Sequence, residues 1–181
     1  MAIARQCFGE AGSTDVAMEE VAAAAGIARS TLYVYFPSRS ELLHAATAAM
    51  YSEFDQELRS SAPAPSAVEQ LRSLITALVV VVDRDRKFIR LLLGAEASPS
   101  VEGVAIGAAL ANIAIAINAE TVSILERGVK ERCFAQSAPT QADLVGQQLL
   151  GALAVRSSEV SESDRASFVD RIVTFLAQAL A

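Results

Sequence analysis

Apolar positions recur at helical spacing almost from the first residue of this chain. Residues 2–11 form a predicted first helix, stopped at Gly12, a residue suited to a left-handed helix end. Ser13, Thr14 and Asp15 supply a turn, with Asp15 as the N-cap candidate for a second helix. Met18, Val21, Ala22 and Ala25 then fall at i, i+3, i+4 and i+7, the stripe of a short amphipathic helix that Gly26 breaks. A third helix is expected from about Ala28 to Phe36, with Leu32 and Phe36 one turn apart on its inner face and Ile27 packing at its entry. Pro37 ends it, because proline disfavours a helical residue before it.

Ser38 and Glu41 stand at capping-box spacing and open a long fourth helix to about Ser60, with Leu43, Ala46, Met50 and Phe54 along one side. Ala62 to Pro65 reads as a linker. Ser66 opens a fifth helix, and Asp83, Arg84, Asp85 and Arg86 interrupt it with charge, as in a solvated turn. Lys87 to Ala97 forms a sixth, Ser100 to about Phe134 a seventh, Thr140 to Arg156 an eighth, and Ser163 onward a ninth. The expected fold is all-α, with about nine helices: a three-helix head over 1–45 and a helical body over 46–181.

Composition supports helices. Ala, Leu, Glu and Arg dominate long stretches, Gly and Pro are sparse, and 52% of the residues are hydrophobic against 20% charged, which argues against disorder. Residues 103–119 are nearly all apolar. They contain Asn112 and Asn118, are rich in Ala and Gly rather than Leu, and stand alone, so a buried helix is expected rather than a membrane span. Cys7 and Cys133 lie far apart without metal spacing and read as reduced, mostly buried thiols. With no charged-then-apolar leader in view, a cytoplasmic location is expected.

Two helices joined by a tight Gly-containing turn suggest a helix-turn-helix, whose second helix lies in the DNA major groove. Such a helix needs an outer face of small or hydrogen-bonding side chains. Arg29, Ser30, Thr31, Tyr33 and Tyr35 supply it, and Ser38 and Arg39 at the next helix start add a phosphate contact. The net charge of −6 opposes this reading, and residues 1–45 carry three Arg against five acidic residues; from Ile27 to Ser40, however, the only charges are Arg29 and Arg39.

The runs MEEVAAAAGI (Met18 to Ile27) and STLYVYFPSR (Ser30 to Arg39), with Glu41, Leu42 and Leu43 after them, resemble the head of a tetracycline-repressor (TetR) family regulator. The likeness is clear over residues 5–45. It implies a homodimer that represses promoters on double-stranded operator DNA and releases it when a small molecule enters the body. Five features depart from the family pattern. Ala17 and Ala28 stand where capping Thr or Ser is common, Tyr35 and Arg39 replace the common His and Lys, and the basic arm ahead of the first helix has no counterpart.

In the body, helices five to seven are expected around a mostly apolar effector site, with Arg90, Glu96, Asn112 and Asn118 as its candidate polar groups. Two wide apolar stripes near the C-terminus suggest a symmetric dimer interface: Val145, Gly146, Leu149, Leu150 and Leu153 on one helix, and Phe168, Ile172, Phe175 and Leu176 on the next. The single histidine, His44, sits in an Ala-rich helix without a nucleophile set, phosphate loop or metal cluster. No catalytic residue, metal or cofactor is expected, and no membrane partner. The alternative is a helical interaction protein of the same fold with lost or weak DNA binding.

Overall fold

A computed structural model describes residues 1–60, 64–96, 101–154 and 162–181. Every regular element among them is helical: α1 (Ala2–Ala11), α2 (Met18–Ala24), α3 (Arg29–Tyr35), α4 (Arg39–Ser60), α5 (Ala67–Glu96), α6 (Val101–Lys130), a 3-10 turn at Ala138–Gln141, α7 (Ala142–Ala154) and α8 (Glu162–Leu180). Gly12 and Gly26 hold φ values of 60° and 67°, so each turn uses the left-handed backbone that costs glycine no Cβ clash. The expected linker from Ala62 to Pro65 falls partly outside the described residues.

Two local expectations change and a third is met. Asp15 does not cap α2: Ala17 holds the N-cap position without a side-chain bond, and the Asp15 carboxylate pairs with Arg39 instead. Ile27 is partly exposed at the entry of α3 rather than packed. The expected fifth and sixth helices meet inside the expected charged segment: the element Ala67–Glu96, α5, is kinked where Asp85 leaves helical geometry (φ −110°, ψ 20°).

The chain divides into two compact units: residues 1–53 with 84–111, and 54–83 with 112–181. In the first, α2 packs on both α1 and α3, around Phe8, Val16, Met18, Val21 and Leu32. Leu43, Ala46 and Met50, along the expected side of α4, are buried as well. The α1 helix lies against the second stretch of α5. The Phe8 and Phe88 rings meet at 6.4 Å, and a Cβ built on Gly9 would come within 2.8 Å of the Phe88 amide nitrogen.

A closed cluster of charges completes that seam. Arg5, 2% exposed, donates from Nε to Asp85 Oδ1 at 2.8 Å and through both terminal nitrogens to Glu53, at 3.1 and 2.8 Å. Arg84 then reaches Asp85 Oδ2 at 2.9 Å and Glu53 Oε2 at 2.8 Å. Two cations and two anions thus neutralise one another. Burial alone lowers the Arg5 pKa, but the Glu53 hydrogen bond and the charges of Asp85 and Glu53 outweigh it and leave it raised. Burial alone raises Glu53, yet Arg5 and Arg84 draw it below its ordinary value. The solvated turn expected from Asp83 to Arg86 is therefore corrected: Asp85 is buried against Arg5.

The second unit is a helical core. Leu71, Leu74, Ile75 and Leu78 of α5 are buried, as are Ile117, Thr121, Ile124 and Leu125 of α6, Val145 and Leu149 of α7, and Val169, Val173, Leu176 and Leu180 of α8. Thr121 is satisfied by donating its hydroxyl to the Ile117 carbonyl at 2.8 Å. Ion pairs from Arg72 to Asp170 and from Arg165 to Asp83 tie α8 to α5. Residues 103–130 form a helix long and apolar enough to cross a membrane by length and composition. The expectation of a buried helix fails here: Val104 and Ile115 are largely exposed, and only 22% of its apolar window is buried.

Candidate nucleic-acid interface

The α2–α3 turn is set by backbone bonds. Gly26 donates to the Ala23 carbonyl at 3.1 Å and Ile27 to the Ala22 carbonyl at 3.0 Å, closing α2 with its successor in a fixed direction. Ala28 opens α3 without a side-chain cap, in extended backbone. Leu32 is the buried residue of α3, and Phe36 just past its end is half-buried. At about 100° per residue, Ser30, Thr31 and Val34 therefore point most directly away from the core, with Arg29 and Tyr33 on one flank and Tyr35 on the other. All five expected reading residues on α3 are exposed. Val34, 77% exposed, belongs to the same face; its place in an aromatic run suggests core, which is why the sequence pattern hides it. An exposed apolar branch there suits contact with a thymine methyl group.

Neither arginine of this face is free. Arg29 forms an ion pair with Glu19 of α2 at 2.7 Å, while its guanidinium lies over the Tyr33 ring at 5.3 Å from the centroid. Arg39 is paired with Asp15. Ser38 caps α4: its hydroxyl oxygen accepts the Glu41 amide at 3.2 Å, the backbone half of the expected capping box. His44 is exposed on α4. Cys7 and Cys133 are free and half-buried rather than mostly buried. Burial, then the charges of Glu10 and Glu20, pushes the Cys7 thiol pKa up.

The residues expected around an effector differ in exposure. Arg90 is exposed on α5 and Asn112 exposed on α6, while Glu96 has its side chain outside the described residues. Asn118 on α6 is half-buried, and its Oδ1 is shielded from solvent without a hydrogen-bond partner. Among the expected interface residues, Val145, Leu149 and Leu176 are buried in the subunit's own core, which removes them from an outward-facing surface. Phe168 and Ile172 are half-buried and Phe175 is 56% exposed; Gly146 is half-buried. Leu150 and Leu153 lie outside the described side chains. The α8 helix thus carries an inward stripe of Val169, Val173, Leu176 and Leu180 and, about a quarter turn away, an outer one of Phe168, Ile172 and Phe175. The single wide band expected from the sequence is these two stripes side by side.

Residues 1–46 match the family model of bacterial regulatory proteins of the tetR family. A search of curated protein sequences finds no match. Solved structures similar over nearly the whole chain include the TetR-family transcriptional regulator PfmR from Thermus thermophilus, with a TM-score of 0.73 and 16% identity over 98% of this chain and 96% of that one. The fatty acid degradation regulator FadR from Bacillus halodurans gives 0.70 and 17% identity over 99% and 96%. AibR, solved with isovaleryl coenzyme A and operator DNA, gives 0.67 and 16% identity over 95% and 92%. The head is thus similar to the N-terminal domain of bacterial tetR-family regulatory proteins, and the chain as a whole has the fold of the TetR-family regulators among these structures.

Proposed function

We propose that this protein is a transcriptional repressor that binds operator DNA as a homodimer and releases it when a small, mostly apolar effector enters the body. In this reading, residues 1–45 carry DNA binding and residues 46–181 carry effector binding and dimerisation. One observation carries it: within the tetR-type head, α3 is anchored by Leu32 alone and turns its remaining side chains outward. Arg29, Ser30, Thr31, Tyr33, Val34 and Tyr35 would then meet base edges and phosphates, with Ser38 and Arg39 at the flanking backbone.

Dimerisation is assigned to the outer stripe of α8, Phe168, Ile172 and Phe175, with exposed Leu144 of α7. Two heads would then reach half-sites about 34 Å apart. The Asn118 carbonyl supports the effector reading, since a shielded acceptor without a donor is costly until a ligand supplies one. AibR's acyl-coenzyme A makes acyl thioesters the first compounds to screen by thermal shift. A cytoplasmic location and the absence of catalysis accompany this reading.

A mobility-shift titration with duplex from the gene's own upstream region tests the proposal. The wild-type chain should shift it at low salt, with affinity falling steeply as salt rises. Tyr33→Ala should weaken binding by roughly tenfold through loss of a phosphate contact and of the Arg29 platform. No shift at low salt would sink the repressor reading. It would favour instead a helical interaction protein of the same fold, which the scarcity of free cations on the head supports.

A further inference from the structure

Cations are scarce in this head. From Met1 to Leu58 the only Lys or Arg residues are Arg5, Arg29 and Arg39. Arg5 is buried and committed to Glu53 and Asp85. The other two lie on the proposed DNA face, and each is closed on a carboxylate that precedes α3: Arg29 on Glu19 and Arg39 on Asp15. Beneath Arg29 the Tyr33 ring completes a stack, so guanidinium, ring and Glu19 hold one another across the α2–α3 turn.

A carboxylate and a phosphate offer a guanidinium the same acceptor chemistry, two anionic oxygens at hydrogen-bonding distance. In the free protein Glu19 and Asp15 occupy the places that DNA phosphates would take. We propose that Glu19 and Asp15 are intramolecular competitors for the DNA and set its affinity, so that a duplex binds only by exchanging for them. The inference rests on the reading that α3 enters the groove. Both pairs are exposed, so each exchange costs little. Once displaced, however, each carboxylate is left beside the phosphate backbone and repels it, an effect of the same sign. Tyr33 supports Arg29 before and after the exchange, which makes Glu19 the cleaner of the two competitors.

Fluorescence-anisotropy titration of the same upstream duplex at fixed low salt tests this. Glu19→Gln and Asp15→Asn should each tighten binding roughly two- to fivefold, the range of an exposed pair. Glu20→Gln is the control: it removes the same charge from the next position of α2, on a side chain close enough to Cys7 to raise its thiol pKa. It should give a smaller gain. In an Arg29→Ala background, Glu19→Gln should give no more than that control does.

If wild type binds but Glu19→Gln leaves affinity unchanged or weakens it, the competition is overturned and the DNA-binding reading stands. The same holds if Glu20→Gln matches Glu19→Gln, or if the Glu19→Gln gain survives loss of Arg29. If neither wild type nor any variant binds the duplex, both readings fall together.

Discussion

Arg5 and Arg29 make ion pairs of nearly the same length, 2.8 Å to Glu53 and 2.7 Å to Glu19, yet they do different work. Arg5 is 2% exposed and Arg29 63%. In the seam between α1 and α5, Arg5 and Asp85 are shut off from water, so their ion pair fixes the placement of α1. On the α3 face water and salt compete freely, so the pairs hold little stability and can be traded. Burial, rather than geometry, separates a charge that builds the fold from one that can serve recognition.

The largest expected effect comes from breaking the buried set. Arg5→Met would leave Glu53 and Asp85 facing each other with only the half-exposed Arg84 as counter-charge. Removing one partner of a buried pair costs about 3–5 kcal/mol, and Arg84 should hold the loss near the lower end. Urea unfolding at fixed protein concentration measures it. A loss under about 1 kcal/mol would mean that the seam is held by its apolar contacts instead.

Close backbone approach at the same seam gives the next largest effect. Alanine at Gly9 would place its Cβ 2.8 Å from the Phe88 amide nitrogen and 2.9 Å from Lys87 Cβ, atoms fixed by α5. Overpacking of this kind costs about 1–3 kcal/mol, more than the better helix propensity returns. Gly94→Ala is the contrast within one compact unit. An added Cβ there meets nothing within 4 Å, so it should stabilise by up to about 1 kcal/mol through helix propensity alone.

The head was readable in the sequence because its signals are local: a glycine at each left-handed turn, Pro37 after α3, Ser38 and Glu41 at capping spacing. The seam was not. Arg5, Glu53 and Asp85 are far apart along the chain, and nothing in the local pattern links them. An arginine inside the apolar stretch of α1 was the one available signal, since its side chain needs a partner if α1 packs. The α8 stripe failed differently. A wide apolar band cannot say which edge the subunit covers itself, so buried Leu176 and exposed Phe175 looked alike.

Acid should loosen the seam through Glu53. Its pKa in the folded protein lies below the ordinary value, so its contribution is complete above the unfolded pKa and disappears as pH falls through the lowered folded one. The urea midpoint of wild type should therefore drop between neutral pH and strongly acidic pH. Glu53→Gln, already weaker at neutral pH, should lose less over that window. Equal slopes for the two proteins would assign the acid sensitivity to other carboxylates.

The smallest effect sharpens the comparison most. Arg29→Ala removes an ion pair as short as any in the Arg5 cluster, together with the stacking on Tyr33. An exposed pair contributes about 0–1 kcal/mol, and alanine favours the helix slightly, so the unfolding midpoint should barely move. DNA affinity should nevertheless fall, because one of only two cations outside the buried cluster is gone from the head. Stability and binding would then separate at Arg29 and not at Arg5, where misplacing α1 should damage both. A stability loss at Arg29 comparable with that of Arg5→Met would show that the α2–α3 turn depends on the Glu19 pair, leaving that arginine no freedom to exchange it for phosphate.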